Sequence, residues 1–460
     1  MDNKTTLAGH SRVETKKSAA PKRSLAIEYT SLAILRSDPK NPRAHSPKQV
    51  QQIAESIRIF GFNVPILVDA GLQVIAGHGR LQACKLLGID NVPVIRLEHL
   101  SEHQRRAFMI ADNKLAENAE WDDRLLGEQL KILSEAELDF TLETTGFEMG
   151  EIDLTIENLA PATNGQDDPA DLMSEPSLVQ VSRHGDLWSL GKHLLFCGDA
   201  LSPKGYRLLM DGRRANVVFA DPPYNVPISG HVSGNGKARH REFVMASGEM
   251  SEAEFIAFLT DALSLLAHHS LKGSLHYICM DWRHIGELLA AGREAYSDLR
   301  NLCVWTKDNA GMGSFYRSQH ELVFVFQNGG NAYRNNIQLG RFGRSRSNVW
   351  NYPGANSFSR STKEGDLLAL HPTVKPVALV ADAIMDCSVR GDLVLDPFLG
   401  SGTTVIAAER TGRICCGMEL DPTYVDTVIR RWQKFTNLEA THQLSGQTFA
   451  KREEEAGDAR

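Results

Sequence analysis

No apolar stretch in this 460-residue chain approaches eighteen residues, which excludes a transmembrane helix. There is no C-x-x-C pair. The 7 cysteines (Cys84, Cys197, Cys279, Cys303, Cys387, Cys415 and Cys416) are odd in number, scattered and mostly embedded in apolar runs. Neither a zinc ribbon nor a disulfide framework is indicated, and no His/Cys/Asp cluster suggests a metal. The polar, basic start lacks the apolar core of a secretory signal. The expected compartment is therefore a reducing cytoplasm, with no membrane partner. A net basic charge is also missing: 50 Lys and Arg against 57 Asp and Glu give −7. Taken as an average, that argues against a nucleic-acid partner. The average conceals an asymmetry, because Ile132 to Ser182 holds twelve acids and no Lys or Arg, and the rest carries +5. What remains is ordinary: 42% hydrophobic and 23% charged residues, enough for two or three soluble domains.

Residues 1–25 have few large apolar side chains and read as a disordered basic arm. Residues 26–130 read as a compact α/β unit. Ser46-Pro47 starts a helix whose apolar face is Val50, Ile53, Ala54 and Ile57, closed by Gly61. Short strands follow at 65–68 and 73–76, then a helix opened by Gly77-His78-Gly79-Arg80, a strand at 92–97 and a helix from Ser101. Residues 131–182 read as an acidic helical connector ending in a Pro/Asp/Ser-rich linker. From 183 to 437 strands and helices alternate, which predicts a doubly wound, mainly parallel sheet. Residues 438–460 read as a polar C-terminal tail.

The first unit resembles the ParB/sulfiredoxin-like domain through Asn41-Pro42-Arg43, the block 74–95 and the block 111–122. Members that bind a nucleotide or phosphate carry a Gly-x-Arg-Arg or Gly-Cys-His-Arg type sequence after the second strand. Here that place holds Gly77-His78-Gly79-Arg80, without the sulfiredoxin cysteine and with one arginine of the pair. A Gly turn opening a helix offers free N–H groups to an anion, and Arg80 adds a charge-assisted bond.

Two motifs sit at strand ends of the second domain. Asp221-Pro222-Pro223-Tyr224 follows "NVVFA", and Asp396-Pro397-Phe398-Leu399-Gly400-Ser401-Gly402-Thr403-Thr404 follows "DLVL". Ligands of open α/β sheets bind at the carboxyl ends of strands. As a plain turn the first motif would be odd, because two prolines delete backbone donors and the acid needs a partner.

Together the motifs resemble the amino-methylating DNA methyltransferases, with further matches at 197–200, 371–380 and 417–425. The ledge precedes the Gly loop, which is the order of the family's beta class. The resemblance implies a Rossmann-like doubly wound methyltransferase sheet, with the smaller ParB-like α/β domain ahead of it. It implies S-adenosylmethionine as cofactor and a flipped-out adenine in double-stranded DNA as substrate.

An adenine amine is a poor nucleophile, since its lone pair is delocalised. Acceptors at its N–H groups, Asp221 and the Pro222 carbonyl fixed by Pro223, would free that pair. Tyr224 would stack on the base. For the cofactor the resemblance assigns Gly400 and Gly402 (close backbone approach), Thr403, Asp396, Phe398, Glu419 (ribose hydroxyls), Asp199 (adenine end) and Lys375, which with His371 and Thr373 borders the methionine part. Between 329 and 350, Arg334, Arg341, Arg344 and Arg346 interleave with Tyr333, Phe342 and Trp350 and no acid, a pattern suited to DNA. The loop 228–243 is a second candidate for closing on the base.

Asp as first ledge residue leans to adenine N6, with cytosine N4 as the alternative. A ParB-like partition protein with a vestigial second half is the reading from a different class. The sequence leaves a homodimer open and implies no restriction partner, although a restriction-modification setting fits the family.

Overall fold

The structure, a computed structural model, describes residues 25–159, 169–171, 179–226, 248–308, 310, 315–330, 332–341, 343–354 and 374–458. The expected basic arm, the 228–243 loop, His371, Thr373 and Phe342 lie outside these described residues. The chain divides into two compact units, Met1–Trp121 with Thr144–Gly146, and Asp122–Glu143 with Phe147–Arg460.

In the first unit, β1 (Ile27–Ser31), β2 (Ile66–Val68), β3 (Val74–Ala76) and β4 (Asn91–Arg96) form one sheet in the order β1-β4-β2-β3. Helices α1 (Pro47–Phe60), α2 (His78–Leu87) and α3 (Glu102–Glu117) complete it. The expected starts hold chemically. The Ser46 hydroxyl accepts from Gln49 N at 3.1 Å, and Ser101 with Gln104 closes a capping box. Ile66, Val68, Val74 and Val94 pack with Leu81 and Cys84 of α2, while Ile75 and Leu97 pack with Met109 of α3. Strands β2 and β3 are thus covered on both faces, which accounts for their unbroken apolar sequences, while β1 at the sheet edge is mostly exposed.

The second unit opens with α4 (Asp123–Glu135) and α5 (Met149–Glu157). Its strands are β5 (Leu187–Leu190), β6 (His193–Cys197), β7 (Ala215–Ala220), β8 (Ser270–Met280), β9 (Asp298–Thr306), β10 (His320–Gln327), β11 (Val349–Asn351), β12 (Leu393–Asp396), β13 (Ile414–Glu419) and β14 (Thr441–His442). Its remaining helices are α6 (Pro203–Met210), α7 (Glu252–His268), α8 (Ile285–Ala295), α9 (Val377–Met385), α10 (Thr403–Thr411), α11 (Pro422–Thr436) and α12 (Phe449–Asp458).

One sheet runs β11-β9-β10-β8-β7-β12-β13-β6-β5-β14. Its centre, β8-β7-β12-β13-β6, is parallel, and β10 is antiparallel to both β8 and β9. Side chains of α9, α10 and α11 (Val380, Val405, Trp432) fill one face, and those of α6, α7 and α8 (Tyr206, Phe255, Leu288) fill the other. This is the doubly wound α/β architecture expected from the sequence.

Two segments differ from expectation. The 131–182 connector is not a spacer. Leu130, Leu142, Met149 and Ile152 form a small core with Val389. Asp153, with no exposed surface, accepts from Arg413 at 3.0 and 2.8 Å. Asp171 accepts from Val377 N at 2.8 Å, and the Ala170 carbonyl from Arg431 at 2.9 Å. Glu143, Asp153 and Glu157 pair with Arg334, Arg413 and Arg344 of the second unit, so part of the charge asymmetry of the sequence is offset in space. The 438–460 tail is likewise built in. Thr441 and His442 pair antiparallel with β5, and Phe449 is buried against Trp188. A short polar composition concealed a single apolar anchor.

Candidate active site

Four consecutive parallel strands, β7, β12, β13 and β6, deliver Asp221, Asp396, Glu419 and Asp199 to one edge of the sheet. Alternating helices on both faces fix this edge, because each crossover returns the chain to the same end.

At the end of β7 the Asp221 carboxylate meets two side chains, Tyr224 of its own turn and Lys375 from just before α9. Its Oδ1 accepts from the Tyr224 hydroxyl at 2.5 Å, and its Oδ2 accepts from Lys375 Nζ at 2.5 Å. The Lys375 ammonium also reaches Glu321 Oε2 at 3.0 Å and the Tyr224 oxygen at 3.3 Å. Glu321 is held in turn by Lys307, whose ammonium lies 4.7 Å from the centre of the Trp305 ring. Burial pushes the Asp221 carboxyl up, Lys375 opposes this, and Glu321 reinforces it. For Glu321 burial acts upward, but Lys375 and Lys307 outweigh it and hold the group down at about 2. Lys375 is kept charged, since Asp221 and Glu321 overcome its burial. Behind the ledge, Asn225 adopts φ +55 and its side chain ties Gly248 and Met250 by three bonds of 2.8 to 3.2 Å.

The second motif turns sharply after β12. Gly400 and Gly402 have φ +53 and +86, and a Cβ on Gly402 would come within 2.8 Å of Val428. Glu419 accepts from Gly400 N and Asp421 N, each at 2.8 Å. Asp396 accepts from Thr404 Oγ1 at 2.6 Å and Phe398 N at 3.0 Å. Burial raises both acids to about 7 despite these donors. Asp199 accepts from Leu201 N at 2.8 Å in the turn after β6, beside Glu419, whose carbonyl takes Gly198 N at 2.9 Å. Thr403 Oγ1 donates to the Lys375 carbonyl at 3.2 Å, so the turn and the ledge are joined through Lys375.

The sequence-predicted residues therefore converge, with three departures. The Lys375 amine points to Asp221, not into a separate cofactor region. Phe398 leans on Phe258, with ring centres 6.2 Å apart. Of the four arginines, Arg344 and Arg346 are turned inward, while Arg334 and Arg341 are exposed. Arg344 is 7% exposed and bound to Asp382 and Asp386 at 3.1 and 3.0 Å. Arg346 reaches Asp382 at 2.6 Å and Asp386 at 2.9 Å, and Arg334 pairs with Glu143 at 3.0 Å. A buried guanidinium needs such partners, so Arg344 and Arg346 are withdrawn from the DNA-contact set. Trp350 is buried in β11, while Arg341 is exposed. Sequence reasoning missed Glu321, Lys307 and Trp305. The available signal was a lone acid opening the apolar strand "HELVFVFQ".

The first unit holds a cavity of about 410 Å³, lined by Arg43, His45, His78, Arg80, Asp112 and Asn113 among others. Gly77 caps α2 at φ +100, and Arg80 Nε is buried without a hydrogen-bond partner among the described residues.

Residues 215–430 match the DNA methylase family, and residues 15–114 match the ParB N-terminal domain. The chain thus holds a DNA methylase domain and a ParB-like N-terminal domain. The methylase match includes both the ledge and the Gly turn. "ParB-like nuclease domain-containing protein YnaK" of Escherichia coli (strain K12) is 44% identical over 82 residues, 18% of this chain and 94% of that protein. "DNA adenine methyltransferase YhdJ" of the same strain is 27% identical over 243 residues, 47% of this chain and 75% of that one. Among solved structures, the cytosine-N4-specific PvuII DNA methyltransferase is similar, with a TM-score of 0.41 and 17% identity over 59% of this chain and 94% of its own. Among the described residues no helix is long and apolar enough to cross a membrane.

Proposed function

We propose that the second unit methylates the N6 amine of an adenine flipped out of double-stranded DNA, with S-adenosylmethionine as the methyl source. The observation that carries this reading is Asp221, a half-buried carboxylate fixed by Lys375 and Tyr224 one strand away from the Gly400–Thr403 turn. Asp221 and the Pro222 carbonyl accept from the two amine N–H groups and favour a pyramidal nitrogen with a free lone pair. Tyr224 offers the base a stacking face. Extrusion of the base costs a few kcal/mol.

The turn suits the cofactor. Its glycines let backbone approach closely, and each Glu419 oxygen, already holding one N–H, keeps a lone pair for ribose hydroxyls. The groups around it are carboxylates, which suit a cation. When bound, the cofactor supplies an electrophilic methyl on a sulfonium. Gly400, Gly402, Thr403, Glu419 and Asp199 would hold it, with Asp396 bracing the turn from beneath. The 27% identical relative is itself named for adenine.

Asp221→Ala in the full chain should reduce methyl transfer to DNA by at least about a thousandfold while cofactor affinity stays within a few-fold. Mass analysis of nucleosides from the methylated DNA identifies the base, and N4-methylcytosine would replace the adenine assignment. Transfer by the mutant at near wild-type rate would overturn the role of the ledge.

A further inference from the structure

Resting on that reading, we infer that Lys375 and Glu321 are positioning residues of the transfer: Glu321 holds the Lys375 ammonium against Asp221, and the ammonium fixes the ledge carboxylate as an aimed acceptor instead of binding cofactor. The count of donors decides this. An ammonium has three N–H bonds. Those of Lys375 are spent on Asp221 Oδ2 (2.5 Å), Glu321 Oε2 (3.0 Å) and the Tyr224 oxygen (3.3 Å). Its main chain is pinned separately by Thr403. Lys375 thus ties the start of α10 to the ledge through one residue.

The groups facing Asp221 come from every neighbouring element. They are Tyr224 in its own turn, Lys375 before α9, Glu321 on β10, Cys279 on β8 and Asp396 on β12. Only one of these carries positive charge. Without it, burial and two nearby acids would push the Asp221 carboxyl further up, toward its protonated form. A protonated carboxyl presents a donor where an amine N–H needs an acceptor. Glu321 supplies the geometry. It is anchored from its other side by Lys307, so the cluster holds two carboxylates and two ammoniums and is close to neutral. That balance admits the positive charge developing on the amine.

The test uses the full chain carrying Lys375→Met, Lys375→Arg or Glu321→Gln, with cofactor affinity from calorimetry and kcat measured against pH. Lys375→Met should leave cofactor Kd within about threefold and lower kcat about a hundredfold at neutral pH. Its acid limb should move up by about one pH unit or more, so that rate returns as pH rises; Lys375→Arg should recover part of kcat. Glu321→Gln should lower plateau kcat about tenfold without an upward move of the limb, because the charge removed is negative. Retained cofactor titration also reports that each variant is folded. A tenfold or larger rise in cofactor Kd for Lys375→Met, with the limb unmoved, would make Lys375 a cofactor contact and overturn the inference. If the wild-type chain transfers no methyl to DNA, the parent reading fails separately. The pairing is then read from the Asp221 carboxyl by carbon-13 NMR, whose titration midpoint should rise in Lys375→Met and, if unmoved, rejects the inference.

Discussion

Gly77 and Gly402 open their helices in the same way. Each follows a short buried strand, each caps its helix in the left-handed region (φ +100 and +86), and each helix ends on another left-handed glycine, Gly88 or Gly412. The surroundings then diverge. Around Gly77 stand Arg43, His45, His78 and an Arg80 whose Nε has no hydrogen-bond partner among the described residues. Around Gly402 stand Asp396 and Glu419, each already engaged by backbone N–H groups. Under the proposed function one backbone device would serve two kinds of ligand, with side-chain charge selecting between an anion and a cation rich in hydroxyls.

The largest expected effect comes from adding the same acid to both turns. Gly402→Asp forces a Cβ into φ +86 and toward Val428, and places a third carboxylate beside Asp396 and Glu419. Cofactor titration should be lost, at least about a hundredfold in Kd. Gly77→Asp strains the other turn equally, and its Cβ meets the Arg80 guanidinium at 3.0 Å. Cofactor Kd should then stay within about twofold, since the cation answers the new charge and the cofactor turn is untouched. Equal losses in the two variants would break the division of labour.

A smaller effect separates an arginine placed for packing from one left with an open donor. Asp153→Ala strips Arg413 of both carboxylate oxygens of its charge partner in a site with no exposed surface, and should cost about 3–5 kcal/mol by urea unfolding. Arg80→Ala leaves no buried partner unpaired, and should change stability by less than about 1 kcal/mol. A large loss for Arg80→Ala would show it to be another structural cation.

Much of this was legible beforehand, for physical reasons. Strand limits such as Leu393–Asp396 and Ile414–Glu419 were readable because buried parallel strands are short apolar runs between turn residues. The ledge and Gly turn were readable because two prolines beside an acid, or Gly-x-Gly after a strand, restrict the backbone to few uses. The Lys375–Asp221 and Arg344–Asp386 pairs were not. Each joins residues far apart in the chain, and no local pattern tells a lysine at a helix start, or an arginine in a basic segment, where its partner lies. The arginine segment looked like a DNA surface because its acids come from α5 and α9 and from Glu143. Local charge counting is blind to pairing across 190 residues, the separation of Glu143 from Arg334 being 191.

The last contrast between the two turns is their answer to pH. Burial lifts Glu419 to about 7, so near neutrality part of the free protein carries it as an acid. Its role as acceptor beside a cation needs the carboxylate. Binding therefore favours the deprotonated form, and affinity should rise with pH through that range, on the order of tenfold from pH 6 to pH 8. Glu419→Gln should bind more weakly and flatten the slope. At the Gly77 turn the sign reverses. Burial holds His78 below its usual value, with Asp38 opposing and His45 reinforcing, so it gains charge only on acidification. Inorganic pyrophosphate offered to the full chain should therefore bind the first unit more tightly as pH falls, read by the chemical shifts of His45 and His78, while cofactor binding weakens. The same slope for both ligands would mean that the two turns are not distinguished by their charges, and that the resemblance of their backbones is the more informative fact.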